Sequence, residues 1–187
     1  MKTRTFRPAN RPIILATLAF AVSNFSLLAA DDELSRKDTT DVYGSGFYIN
    51  GNHFKGYGGG FGIGYHLSDF VAVNADTAIG RLEARPNGLL YNGLVSVEYD
   101  ILRRRFTPFL MAEGGVWVEQ TLRRSVGSFL VSGTREVTHG AFGAGAGVRW
   151  DATDHFFVKA AYHTLEITNG RTEGFAHGLT LGIGYRF

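Results

Sequence analysis

The chain has 187 residues, with 19 Lys and Arg against 17 Asp and Glu, 25 glycines, 15 phenylalanines and no cysteine. A length of this order suits a single domain, and the absence of cysteine excludes a disulfide framework. The net charge of +2 makes no case for nucleic acid, because its source lies in the first thirty residues.

There Lys2, Arg4, Arg7 and Arg11 precede an apolar run from Pro12 to Val22, and SNFSLLAA ends at Ala30 before Asp31 and Asp32. This is the layout of a secretory signal, residues 1–30, cleaved near Ala30. An uncleaved anchor is the alternative, although Ser23 and Asn24 interrupt the run and leave it marginal for a span. Without this segment, 15 basic side chains face 17 acidic ones, a net charge of −2. Residues 31–41, DDELSRKDTTD, are polar and read as a short flexible lead-in.

From Val42 to Phe187 eight segments alternate with period two between turn signals: about 42–50, 54–67, 70–82, 89–100, 107–120, 137–150, 155–167 and 174–187. Glycine at this density excludes helices, at about 1 kcal/mol for each interior position. In the second segment Phe61, Ile63, Tyr65 and Leu67 alternate with Gly60, Gly62, Gly64 and His66. In the third, Val71, Val73, Ala75, Thr77 and Ile79 oppose Ala72, Asn74, Asp76 and Ala78. In the fourth, Tyr91, Val95, Val97 and Tyr99 oppose Asn92, Ser96, Glu98 and Asp100. The fifth sets Leu110, Ala112, Val116 and Val118 against Glu113, Gly115 and Glu119, and the sixth sets Phe142, Val148 and Trp150 against Gly143, Gly145, Gly147 and Arg149. The seventh sets Phe156, Val158 and Tyr162 against Lys159, Ala161 and His163. Met111, Trp117, Phe157 and Leu165 fall on the polar face, where they either fill an interior or lie beyond an apolar band.

The eighth segment, GFAHGLTLGIGYRF, alternates to the final residue: Phe175, His177, Leu179, Leu181, Ile183, Tyr185 and Phe187 against Gly174, Ala176, Gly178, Thr180, Gly182, Gly184 and Arg186. A soluble edge strand of this kind would invite aggregation. A strand that closes a barrel in lipid has no edge, since its backbone pairs on both sides. Alternate lipid-facing residues also account for a mean hydropathy of only −0.03. The fold expected is therefore all-β, an eight-stranded antiparallel up-and-down transmembrane β-barrel over residues 42–187.

In such a barrel the connections at Leu67–Asp69, Ile101–Phe106 and Asp151–Asp154 are the short periplasmic turns, and Glu83–Gly88, Thr121–Glu136 and Thr168–Glu173 the longer outer loops. Tyr65, Phe70, Tyr99, Phe106, Phe109, Trp150, Phe156, Tyr185 and Phe187 cluster near the short turns as an inner aromatic girdle, with Phe47, Phe54, Tyr57, Tyr91 and Phe175 as outer candidates. Asp76, Glu98, Glu113, Glu119, Arg149, Lys159 and Arg186 face inward, with His66 and His163. An interior of eight strands is just wide enough for side chains to fill it, so these groups are expected to pair as a polar core rather than line a pore.

Two basic clusters lie in connections. Arg123, Arg124 and Arg135 surround an apolar Phe129-Leu130-Val131 in the loop TLRRSVGSFLVSGTRE, and are candidates for lipopolysaccharide phosphates; a solvated hairpin is the alternative. Arg103-Arg104-Arg105 either meets anionic headgroups or is merely solvated. GYGGGFGIG at Gly56–Gly64 lacks the following Lys and the helix of a phosphate loop. The six histidines show no metal-ligand spacing, and no cofactor motif is present.

The TPFL strand opening, the GAFGAGAGVRWDATDHFFVKAAYH hairpin and the GLTLGIGYRF terminus resemble the small outer-membrane β-barrel superfamily, the OmpA/OmpX-like barrels of Gram-negative bacteria. The resemblance covers about residues 42–187. It implies a protein of the outer membrane, exported behind a cleaved signal, with membrane lipid and lipopolysaccharide as surroundings and no cofactor; the sequence leaves the oligomeric state open, with a monomer the expectation. It also implies that Leu179, Leu181, Ile183, Tyr185 and Phe187 form the terminal signal read by the barrel-assembly machinery. The anchoring role of longer members is not carried over, and the reading is a non-enzymatic protein of envelope integrity or surface contacts.

Two alternatives belong beside it. TPFLMAEGGVWV and AAYHT look broadly like lipid A deacylases, barrels that use a His-x-Ser pair with a Glu. Here the position reads His163-Thr164-Leu165, without the serine and with His163 facing inward. A soluble lipocalin-like barrel holding an apolar ligand would invert the faces, placing Glu98, Glu113, Arg149 and Lys159 outside.

Overall fold

The computed structural model describes residues 34–51, 55–83, 88–123, 133–168 and 174–187. The signal assigned to residues 1–30, the start of the lead-in, Phe54 and Arg124 lie outside them. The strands are β1 (Thr40–Gly51), β2 (Lys55–His66), β3 (Val71–Leu82), β4 (Gly88–Asp100), β5 (Phe106–Arg123), β6 (Gly133–Asp151), β7 (Phe156–Thr168) and β8 (Gly174–Arg186). Each pairs antiparallel with the next, and β1 pairs with β8 from Asp41↔Arg186 to Gly51↔Ala176, so the sheet closes. No edge remains, and each strand's backbone is paired on both sides, as the alternation in β8 requires. No described helix is long and apolar enough to cross a membrane.

The parity sets burial. Tyr65, Val95, Val97, Tyr99, Leu110, Val116, Phe142, Trp150, Phe156, Tyr162, Leu179, Leu181, Ile183 and Phe187 are exposed, whereas Glu98, Arg149, Arg186 and His66 are buried. This is the reverse of the soluble, ligand-holding arrangement and overturns it. An apolar exterior around a charged interior is stable in hydrocarbon and not in water.

Three details differ from the sequence expectation. First, β5 and β6 have 18 and 19 residues, and pairing continues through Thr121↔Arg135 to Arg123↔Gly133. Much of the segment expected as a loop is hairpin ladder, extending well past the roughly ten residues that cross a bilayer. Second, Phe109 points inward at 1% exposure and Phe47 packs against the interior apolar cluster, so neither belongs to an aromatic girdle. Third, the lead-in is docked: β1 begins at Thr40, and Arg36, four residues earlier, is fully buried inside the barrel. Its composition reads as solvated, but carboxylates inside the barrel give this one cation a better partner than water.

Interior glycines make room for interior rings. A Cβ on Gly62 would meet the Tyr43 ring and the Asp76 carboxylate, and one on Gly147 would meet the Phe109 ring. Ring and glycine thus share the narrow lumen of eight strands.

Candidate functional site

The interior divides along the barrel axis. Toward the short turns lies a charged network, toward the loops an apolar cluster, and a cavity separates them.

The network is built by strand ends and by the lead-in. Arg149 on β6 holds Glu98 at 2.9 Å, and lies 3.5 Å from both Asp41 and Asp100. Arg186 reaches Asp41 at 2.9 Å and Asp151 at 3.0 Å. Arg36 bonds Asp100 at 3.2 Å and also pairs with Asp151, while Lys159 pairs with Glu98. His66 Nε2 lies 2.9 Å from Asp41. Arg36, Arg149, Lys159 and Arg186 therefore balance Asp41, Glu98, Asp100 and Asp151, which is how ionised groups are tolerated away from water. Phe157 lies under the guanidinium groups of Arg149 and Arg186, at 5.2 and 5.6 Å, and the Lys159 ammonium is 4.8 Å from the Phe109 ring. Phe109 and Phe157 thus cap the network with aromatic faces, which is the reason Phe157 stands on the polar side of β7.

Of the seven charged residues expected inside, Glu98, Arg149, Lys159 and Arg186 come together here. Asp76 and Glu113 do not. They line the cavity, where Asp76 accepts from the Tyr43 hydroxyl at 2.7 Å and Glu113 meets His163 Nδ1 at 2.7 Å. Glu119 is buried near the loop end, away from both groups. Sequence reasoning left out Arg36, Asp41 and Asp151 as members, and did not count Asp100 among the charges expected to pair, although it put Asp100 on the inward face. Asp41 and Asp151 sit at segment ends, where a turn reading competes, and nothing periodic marks Arg36.

The cavity has a volume of about 80 Å³ and is lined by Tyr43, Asp76, Glu113, Lys159 and His163 on one side and Phe47, Leu94, Trp117 and Leu165 on the other. With Leu94, Trp117 and Leu165, the residues Ile49, Leu82, Leu90, Ile167 and Ala176 form an apolar cluster toward the loops. Met111, Trp117, Phe157 and Leu165 accordingly fill the interior, deciding the alternative left open by parity. The charged network thus lies at one end of the cavity and the apolar cluster at the other, with the buried Glu119 beside that cluster.

The lead-in is held outside as well. Asp69, in the turn between β2 and β3, accepts from the Ser35 hydroxyl at 2.8 Å and from the Arg36 and Lys37 backbone at 3.0 and 3.2 Å. The Ser35 hydrogen bond, with those N–H groups and the Arg103 charge, keeps its carboxyl below the ordinary value despite some desolvation. Asp38, at φ 62°, takes the left-handed conformation that lets the chain turn and donate its N–H to His66.

At the loop end, Arg123 and Arg135 are carried on the hairpin ladder of β5 and β6, two pairs apart. On the outer face of β7 and β8, Thr164 Oγ1 lies 3.1 Å from His177 Nδ1, and Tyr162 stacks on that imidazole at 6.1 Å. At the terminus Phe187 meets Tyr185 edge-to-face at 4.8 Å, and Tyr185 meets Phe156 at 5.0 Å. Phe187 N–H donates to Thr40 at 2.9 Å, tying the last residue to the first strand. Among the described residues no group of three or more His, Cys, Asp or Glu could hold a metal ion.

A closed eight-stranded barrel with an apolar belt, a paired charged interior and terminal aromatics is the fold of the small outer-membrane β-barrels. Solved structures of that class match it. The N-terminal barrel domain of Pseudomonas aeruginosa OprF is 21% identical, with a TM-score of 0.51, over 81% of this chain and 98% of that one. Neisserial surface protein A is 18% identical, with a TM-score of 0.60, over 79% and 94%. Ail, the attachment invasion locus protein of Yersinia pestis, solved with the heparin analogue sucrose octasulfate, is 14% identical, with a TM-score of 0.54, over 80% and 97%. At these identities the fold is what is shared. No protein-family model and no curated protein matches the chain.

Proposed function

We propose that this protein resides in the bacterial outer membrane and acts without catalysis, supporting the envelope and making surface contacts through its loop end. The observation that carries this reading is the inside-out distribution: large apolar side chains cover the outside of a closed barrel whose charges are paired within. The short turns then face the periplasm and the β5–β6 hairpin stands outside, where Arg123, Arg124 and Arg135 meet lipopolysaccharide phosphates or another polyanion. The Ail structure with a sulfated heparin analogue supports that kind of contact for this fold. Leu179, Leu181, Ile183, Tyr185 and Phe187 serve as the assembly signal, behind a signal segment removed near Ala30, and the barrel works as a monomer.

Membrane fractionation with gel migration before and after heating tests it. A band in the outer-membrane fraction that shifts on boiling is expected; a soluble protein with no shift would end the reading. Replacing Arg123, Arg124 and Arg135 by Ala should weaken lipopolysaccharide binding at low salt while leaving the heat shift intact.

A second reading, a lipid-modifying enzyme, is favoured by the Thr164–His177 contact, a hydroxyl and an imidazole on the lipid-facing side. It lacks a bonded acid partner for His177 among the hydrogen bonds described. Release of an ester-linked acyl chain from lipopolysaccharide, lost in His177→Ala, would establish it in place of the first.

A further inference from the structure

We propose that the turn between β4 and β5, residues 101–105, is a binding site for the headgroup of an anionic phospholipid in the inner leaflet of the outer membrane. This rests on the membrane-barrel reading and adds a defined lipid contact to it.

The backbone acceptors at the centre of the turn are bonded by the protein itself. The carbonyl of Arg103 takes a bond from the Leu34 N–H at 3.1 Å. The carbonyl of Arg104 takes two, from Arg36 Nη2 at 2.7 Å and Thr107 Oγ1 at 2.5 Å; that of Arg105 takes the Asp151 N–H at 2.7 Å. The carbonyls of Arg103, Arg104 and Arg105 are thus each engaged by a donor of the protein. Arg36, buried in the interior network, is the group that grips the centre of the turn.

The side chains present the complementary face. Arg104 is exposed, and Arg105 keeps 41% of its side chain exposed while bonding Asp154 at 3.1 Å. Arg103 is spanned between Asp69, at 3.0 Å, and the Phe70 ring, at 6.0 Å, which ties the two neighbouring turns together. Guanidinium groups suit phosphate oxygens through their fork of donors.

Lipid, rather than a free anion, is indicated by what lies alongside. Ile101 and Leu102 are exposed in the same turn, and Phe70 stacks on Tyr99 at 6.4 Å, which joins the patch to the apolar belt. An apolar flank beside cations at the membrane surface matches a headgroup with its acyl chains below. The turn between β6 and β7, with Ala152, Thr153 and Asp154 exposed, offers no such combination. The chain without its first thirty residues has a net charge of −2, so nonspecific attraction would not favour an anionic lipid.

Trp150 is a native reporter. It is exposed on the lipid face, pairs with Phe106 and precedes Asp151, which bonds the turn, whereas Trp117 is buried inside. The barrel is folded into phosphatidylcholine vesicles, and Trp150 quenching by acyl-brominated phosphatidylglycerol is compared with that by brominated phosphatidylcholine. A phosphatidylglycerol preference of about fivefold for each engaged arginine is expected, reduced in Arg104→Gln/Arg105→Gln and, independently of any variant, at 1 M NaCl. Equal quenching by the two lipids in a heat-modifiable barrel would overturn the proposal while sparing the membrane reading. Failure to insert into either vesicle would remove both. A preference abolished by millimolar inorganic phosphate would mark a free-anion site and overturn the lipid assignment.

Discussion

Arg149 is fully buried with carboxylates on three sides, so its removal leaves charge that water cannot reach. Replacing one member of such a group costs about 3–5 kcal/mol, and Arg149→Met should lower the urea midpoint of the heat-modifiable form accordingly. Adding Glu98→Gln should recover part of the loss; strict additivity would show that the two do not interact. Asp69 works outside the barrel and in the opposite sense to a desolvated acid. Its folded pKa is lowered, so its contribution to docking the lead-in is present above the unfolded value of 3.8 and is lost as pH falls through the lower folded one. A carboxyl ¹³C titration should give a midpoint below 3.8 that rises in Ser35→Ala. A midpoint at or above the unfolded value would contradict the strap geometry.

The β5–β6 hairpin shows how an element outgrows its sequence signal. Alternation is clear along the middle of the two strands and fades in the sequence from Thr121 to Arg123 and from Gly133 to Glu136, although the pairing runs on through these residues. The ladder continues there because backbone bonds do not need an apolar face. Surface segments of this kind tolerate deletion. Replacing residues 121–136 by a short turn should therefore leave the heat-modified shift intact and change the urea midpoint by less than the Arg149 variant does. Loss of the folded band would mean that the hairpin nucleates the barrel. The lead-in is the converse case: DDELSRKDTTD carries no period, yet Arg36 completes the charge balance of four strands.

At the scale of the whole molecule, the lipid belt and the interior answer to different solvents. Leu181 is 59% exposed in the middle of β8, and an arginine there should cost about 2–4 kcal/mol in a bilayer. The same variant should lose much less in a micelle that deforms around it, so comparing urea midpoints in the two media tests whether this surface faces hydrocarbon. Equal midpoints for variant and parent in vesicles would place Leu181 in water.

The alternation in residues 42–187 determined the strand count, the closed barrel and the inward set of Asp76, Glu98, Glu113, Glu119, Arg149, Lys159 and Arg186, because a period of two assigns each residue to a face without reference to its neighbours. The segregation of that interior was decided only by the tertiary structure. Ile49, Leu82, Leu90, Leu94 and Ile167 are as apolar as the lipid-facing residues beside them, so parity carries no contrast there. Which of the inward charges meet depends on register across several strands, as with Arg149 on β6 and Glu98 on β4. Arg36 follows the same rule from outside the sheet: one of two adjacent cations in a polar segment, it is buried because the closed barrel sets Asp100 and Asp151 at its mouth, where it completes their pairing.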